Sequence, residues 1–392
     1  MKGEDKQVRY DFDKEVNRRG TVSAKWNVSE GELPMWIADM DFEAPSFIKD
    51  AVMASAEHGV YGYSDLPKEY FEAISAFHKR RHGIDYDTSW MVYSSGVIAA
   101  ISSMVRKLTT PAEKVLVQAP VYNNFYNSIL NNGRNVISSD LVYEGGEYRI
   151  DFADLEEKMK DPETSLMILC NPHNPVGKIW TREELFKIGE LARKNGVLII
   201  SDEIHCDMLR PGKDYTPILS VSDTCREISV ACISSSKTFN MAGMQSACLV
   251  IPEPHLRHRV WRGLNTDEVG EPNIFSVNAN IAAFTNGDEW VDQLMGYVFE
   301  NRRIMEEYIA ERMPLLKPVN ADATYLMWID VSAYTKDSRA FADHLRRSTG
   351  LFISAGTAYG SGGECFIRIN LATRRKNIID CLSRLEKGLK EF

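Results

Sequence analysis

The chain has 392 residues, 44% hydrophobic and 26% charged, with 46 Lys and Arg against 55 Asp and Glu for a formal net charge of −9. These values exclude a disordered chain and a Pro-rich or collagen-like filament, and the acidic balance excludes a global positive field for holding nucleic acid. No apolar run approaches a membrane span, the first residues lack the h-region of a signal peptide, and seven cysteines without a C-x-x-C pair point to a reducing cytoplasm.

In chain order, the stretch 1–50 is rich in turn formers and poor in helix signals, and it is expected to pack over a small domain and a partner subunit. From there short β-branched runs alternate with helical patterns, as in βαβ units around a mainly parallel sheet. The strand candidates are 90–94, 114–119, 134–138, 166–170, 197–201, 228–234 and 247–251. Several are apolar at successive positions, as strands covered on both faces should be. Thr181 and Glu184 make a capping box for a helix that Gly196 stops. After about residue 252 helices dominate, including 288–313, which is long enough to bridge two domains. Strand-like 324–331 and 364–371 then flank a helical 337–350, and a last helix starts near Arg374. The fold class expected is a three-layer α/β/α large domain with a mainly parallel seven-stranded sheet, plus a smaller α+β domain. Its boundaries are set at 51–288 and 289–392, with 1–50 as the N-terminal segment.

In an open parallel sheet, ligands collect where the carboxyl ends of strands open onto loops. Four such loops carry polar residues of interest. Ser95-Gly96-Val97 leads into a helix, whose first N–H groups suit an anion such as phosphate, although small residues also serve such turns for conformational reasons alone. The loop 171-NPHNPVG-177 aims Asn174, or is only a rigid turn. Asp202 ends an apolar strand and needs a cationic partner, for function or as an ordinary ion pair. Lys237, after 228–234, read alone is a solvated charge. Together these four fit pyridoxal phosphate chemistry, in which a lysine amine condenses with an aldehyde and an acid partners the pyridine nitrogen.

On the ordered motifs 36-WIADMDF-42, 59-GVYGYS-64, 119-APVYNNFY-126, 171-NPHNPVG-177, 201-SDEIHCDM-208, 234-SSSKTFNMAG-243 and 366-FIRINLA-372, the chain resembles fold-type I pyridoxal-phosphate enzymes of the class I/II aminotransferase superfamily along nearly its whole length. Within that superfamily it is most similar to the cystathionine β-lyase/C-S lyase branch. The resemblance implies Lys237 as the Schiff-base lysine and acid/base, Asp202 as partner of the ring nitrogen and Asn174 as donor to the ring hydroxyl oxygen. It implies Tyr122 on the ring face, where the residue alone reads equally as aromatic core. Ser95, Gly96, Val97 and Ser234 would surround the phosphate, with His205 also at the cofactor. Arg368 would clamp a substrate carboxylate, Ala38 would touch the substrate, and Tyr63 would reach the neighbouring subunit's site in a homodimer. Two positions depart from the aspartate-aminotransferase pattern: His205 stands where that relative has Tyr, and Gln245 where it has a phosphate-binding Arg.

Other residues read as ordinary. His255 and His258 lie among arginines and make no metal site, His78 and His82 read as a solvated helix end, and Cys206 lacks the setting of a nucleophile. No metal is expected. The implied reaction is β-elimination from a sulfur amino acid such as L-cystathionine. An aminotransferase using the same residues, or a regulatory protein on the same fold, are the alternatives.

Overall fold

In the computed structural model, which describes residues 9–392, the seven expected strands form one sheet. Their spatial order is Met91–Ser94, Ala247–Val250, Ser229–Ile233, Leu198–Asp202, Thr164–Cys170, Lys114–Val117, Asn135–Ser138. Ala247–Val250 runs antiparallel to both neighbours, and the remaining pairings are parallel. Residues 1–8 of the N-terminal segment lie outside the described residues.

The apolar runs read as strands covered on both faces, and alternate side chains go to opposite layers. Leu166, Ile168 and Ile200 pack with Val97, Ile101 and Met104 of helix Val97–Leu108. Met167, Leu169 and Ile199 pack on the other face with Leu185, Ile188 and Ala192 of helix Arg182–Asn195. That second helix starts and stops where its sequence says it should. Thr181 and Glu184 cap each other reciprocally, and Gly196 takes the left-handed conformation at φ 70°.

Beyond the sheet, helix Asp288–Arg312 runs for 25 residues, about 37 Å at 1.5 Å per residue. It buries Trp290, Leu294, Val298 and Met305 in the same core as the sheet's second face. A four-stranded antiparallel sheet follows, ordered Lys317–Pro318, Leu326–Asp330, Phe366–Asn370, Ser354–Ala355, with helix Ser338–Thr349 packed on it and helix Arg375–Lys390 packed on helices Ser338–Thr349 and Asp288–Arg312. The chain start joins this part: Leu33–Pro34 pairs in parallel with Leu351–Phe352. From there the backbone passes Lys237, so residues some 200 positions apart meet at the sheet's carboxyl edge. Among the described residues no helix is long and apolar enough to cross a membrane.

One expectation is corrected here. His78 is buried and the His82 side chain nearly so, at an end of helix Lys68–His82 that is turned inward rather than solvated. His82 Nε2 lies 2.7 Å from Asp207 Oδ1, and burial pushes His78 down to about 3, with His82 adding to the effect. The solvated-end expectation failed because Asp207, which draws this helix end inward, is more than 120 residues away in sequence.

Candidate active site

Strand register explains why the loop residues converge. Cys170 pairs with Asp202, and Asp202 with Cys232, so three adjacent strands end at one level. Asn174, Asp202 and Lys237 follow them and line a cavity of about 310 Å³, together with Ser95, Gly96 and Val97. Ala38, Tyr122, His205 and Ser234 line it too. A second cavity of about 500 Å³ adjoins the first, shares Ala38, Tyr122 and Lys237, and adds Arg368. Tyr63 is the expected site residue that the structure does not bring here, its side chain standing fully exposed on the surface.

Lys237 is carried by the single helical turn Ser235–Thr238. Its Nζ donates to the carbonyl of Ala38 at 2.6 Å. Burial pushes the amine down to about 8, with the positive charge of Arg368 adding and Asp39 and Asp202 opposing. Asp202 is buried at the end of its strand and accepts a hydrogen bond from Ile204 N at 3.2 Å. Among the described residues it makes no salt bridge, and burial pushes its carboxyl up to about 7. The cationic partner expected from the sequence is therefore not supplied by a neighbouring side chain. His205 is neutral: burial pushes it down to about 3, helped by Lys237 and Arg368, and its Nδ1 has no partner among the described residues.

Arg368 enters from strand Phe366–Asn370. Its guanidinium donates to Asn174 Oδ1 at 3.1 Å and to Trp36 O at 3.0 Å, and stands 4.8 Å from the ring centre of Tyr359. It is buried, its Nε is unpartnered, and among the described residues no carboxylate pairs with it. Such a charge calls for an anion. Tyr122 receives a hydrogen bond on its hydroxyl from Asn124 Nδ2 at 2.7 Å, and burial raises its phenol.

At the other end of the first cavity, helix Val97–Leu108 starts at Gly96 with no side-chain cap. A Cβ on Gly96 would meet nothing within 4 Å, so the space above these N–H groups is open. Ser234 Oγ accepts from Ser236 N at 3.1 Å and donates to Ser246 O at 2.6 Å, which fixes the neighbouring wall.

These features fit pyridoxal 5′-phosphate. An uncapped helix start with open space above it suits the phosphate, and a buried carboxylate without a cation suits a protonated ring nitrogen. A half-buried lysine and a buried arginine without a carboxylate partner suit an aldehyde and an amino acid's carboxylate. Ser95, Gly96, Val97 and Ser234 would hold the phosphate, with Asp202, Asn174, His205 and Tyr122 around the ring.

Several neighbours were not anticipated. Tyr325 Oη donates to the same Ala38 carbonyl as Lys237, at 3.0 Å. Asn370 Nδ2 bonds Ile37 O and Asp39 O, both at 2.6 Å, and Asn240 accepts from Met40 N at 3.0 Å. Together they pin the segment 37–40 over Lys237. Tyr325 sits in the apolar stretch 325-YLMW-328 and Tyr359 in the Gly-rich loop 356-GTAYGSGG-363, and neither setting separates a site residue from core, whereas Asn370 had a usable signal as an amide closing a strand that already carries Arg368.

The family model "Aminotransferase class I and II" matches residues 35–385. Cystathionine beta-lyase PatB of Bacillus subtilis is 39% identical over 385 residues, covering 96% of this chain and 99% of that protein. The crystal structure of cystalysin from Treponema denticola, which contains a pyridoxal 5′-phosphate cofactor, is similar with a TM-score of 0.93 at 31% identity, covering 98% of this chain and 100% of the other. The PLP-bound C-S lyase from Staphylococcus hominis gives a TM-score of 0.91 at 30% identity, covering 97% and 98%.

Proposed function

Because the chain belongs to the aminotransferase class I and II family of pyridoxal-phosphate enzymes, we propose that it is a C–S β-lyase acting on L-cystathionine or a related cysteine S-conjugate. The products are a thiol, pyruvate and ammonia. The observation that carries this reading is a pair of cationic side chains, a half-buried Lys237 and a buried Arg368, which make no salt bridge among the described residues and which face adjoining cavities. The similarity to lyases over nearly the full chain favours elimination as the outcome.

When bound, pyridoxal phosphate supplies an aldehyde that condenses with an amine and a ring that withdraws electrons from the carbon beside it. Asp202 would hold the proton of the ring nitrogen, and the resulting cation would supply what its buried carboxylate lacks. Arg368 binds the substrate α-carboxylate, with its guanidinium oriented by Asn174 and the Trp36 carbonyl. Lys237 Nζ takes the proton from the substrate Cα, and an amine at about 8 is poised to give and take protons near neutral pH. The Cβ–S bond breaks as the Cα–Cβ double bond forms, and the sulfur leaves with a proton from the Lys237 ammonium. The released enamine adds water and ends as pyruvate and ammonia. The larger adjoining cavity gives room for the sulfur side of the substrate.

The test is incubation of the holoenzyme with L-cystathionine and no 2-oxo acid. Catalytic pyruvate and homocysteine are expected, and turnover that appears only on adding a 2-oxo acid makes the protein a transaminase instead. The exposed Val60, Tyr61 and Tyr63 support a homodimer in which Tyr63 reaches the neighbouring site. Confirmed mixed dimers of Tyr63→Ala and Lys237→Ala are then expected to regain partial turnover, and dimers that stay inactive argue against sharing.

A further inference from the structure

The turn Ser235–Thr238 is too short to hold its own shape, since a single helical turn fixes many torsions for few hydrogen bonds. Side chains fix it at both ends. At its start Ser234 caps the turn and ties it to the carbonyl of Ser246. At its end Thr238, fully buried, donates from Oγ1 to Asp207 Oδ2 at 2.7 Å. The other oxygen of that carboxylate lies 2.7 Å from His82 Nε2, and Arg81 Nε stands 3.7 Å from it. Neither Thr238 nor Asp207 lines either cavity, so both lie behind the lysine rather than in front of it.

His78, His82 and Cys206 come within 4.8 Å of one another at this place. The group is built for an anion rather than a cation. His82 Nε2 is engaged by Asp207, and the Arg81 guanidinium faces the same carboxylate. Burial would raise that carboxyl, yet the hydrogen bond and charge of His82, with His78 and Arg81, hold it well below the usual range. Asp207 is therefore a fixed, charged acceptor.

We infer that Asp207, held by His82 and Arg81, is a positioning residue for Lys237 and acts through the Thr238 hydroxyl. This rests on the reading of Lys237 as the group that condenses with the cofactor and moves the Cα proton. The hydroxyl stops the turn from rotating about its Ser234 end, which keeps Nζ beside Ala38 O and at a constant reach from the cavity. A displacement on the order of 1 Å at a proton-transferring group can cost about 100-fold in rate, so a partly loosened turn should cost about tenfold. Substrate binding through Arg368 is untouched, because Arg368 is held by Asn174 and the Trp36 carbonyl rather than by the turn that carries Lys237.

The test uses two readouts on Thr238→Val, Thr238→Ser and the parent. The first is kcat and KM for cystathionine cleavage. The second is the rate at which the visible band of lysine-bound cofactor appears when pyridoxal phosphate is added to protein stripped of it. T238V is expected to lower kcat and the band-formation rate about tenfold with KM within about twofold, and T238S to stay within about twofold in everything. Parental values in T238V at a temperature where circular dichroism shows it folded overturn the inference, as does a T238S variant that falls as far as T238V. Should T238V not fold, His82→Gln is expected to give about a threefold loss in both readouts, and parental values there overturn it equally. Lys237→Ala separates the two levels: if it keeps the visible band, the underlying reading of Lys237 fails whatever Thr238 does.

Discussion

Two clusters of buried charge lie next to each other in this molecule and behave in opposite ways. Near the chain start, Lys25 Nζ lies 2.9 Å from Asp41 Oδ2, Arg18 bridges Asp41 at 2.9 Å and Asp39 at 2.7 Å, and Trp26 Nε1 donates to Asp41 at 2.7 Å. Burial alone would raise Asp41, but Lys25 and the hydrogen bonds from Trp26 and Lys25 hold it below its usual range. One residue away in sequence, Ala38 touches Lys237, and there the pattern reverses. Lys237 is pushed down and Asp202 up, each toward its neutral form, because burial outweighs the opposing charges, those of Asp39 and Asp202 on Lys237 and that of Lys237 on Asp202. The same residue types therefore serve different ends. Where opposite charges meet at salt-bridge distance the cluster holds the fold, and where they stand apart without a salt bridge the proposed partner is a ligand.

Removing a charge from each cluster should have opposite consequences. Lys237→Ala is expected to lower β-elimination by at least about 1,000-fold, roughly 4 kcal/mol of barrier, with little loss of stability because no ion pair is broken. A melting temperature that falls along with activity would put Lys237 in the structural class instead. Lys25→Met should do the reverse. Breaking a buried pair costs about 3–5 kcal/mol, and the low end applies because Arg18 and Trp26 remain on Asp41, so ~3 kcal/mol should be lost in denaturant unfolding with kcat within about twofold. Arg368→Lys should come next. A point charge cannot reproduce the two-pronged contact, and KM should rise about 30-fold, ~2 kcal/mol, with a smaller change in kcat. An unchanged KM would mean that the α-carboxylate binds elsewhere.

Much of the site was legible because the sheet makes sequence position and spatial position agree. Apolar strands ending in Cys170, Asp202 and Ile233 announce where loops must emerge, and parallel register brings Asn174, Asp202 and Lys237 to one edge. The helix stop at Gly196 was legible for a local reason, a capping box and a left-handed residue spaced along one segment. What was not legible depends on contacts between distant segments. The Ala38 carbonyl that receives Lys237 is 199 residues away, and backbone acceptors carry no residue-type signal. His78 and His82 have the spacing of an exposed helix end, and only the carboxylate of Asp207, 125 residues beyond His82, makes their inward position intelligible. Tyr63 had meaning only through the family motif, since on its own chain it touches nothing of the cavity.

The gentlest test of the contrast is the dependence of stability on pH in protein stripped of pyridoxal phosphate. The Lys237 amine lies at about 8 in the folded chain and near its ordinary 10.5 when unfolded. Below about pH 8 both states carry the proton and the full penalty of burying an unpaired ammonium is present. Between about 8 and 10.5 the unfolded chain binds a proton that the folded chain has released, so stability rises with pH, by at most ~1.4 kcal/mol per pH unit for one group. Measuring the parent against Lys237→Met cancels the tyrosines and cysteines that titrate in the same window. The difference in unfolding free energy should favour the variant most at neutral pH and shrink as pH climbs toward 10. A difference that stays flat would mean that Lys237 has a counter-charge after all, and would move it into the same class as Lys25.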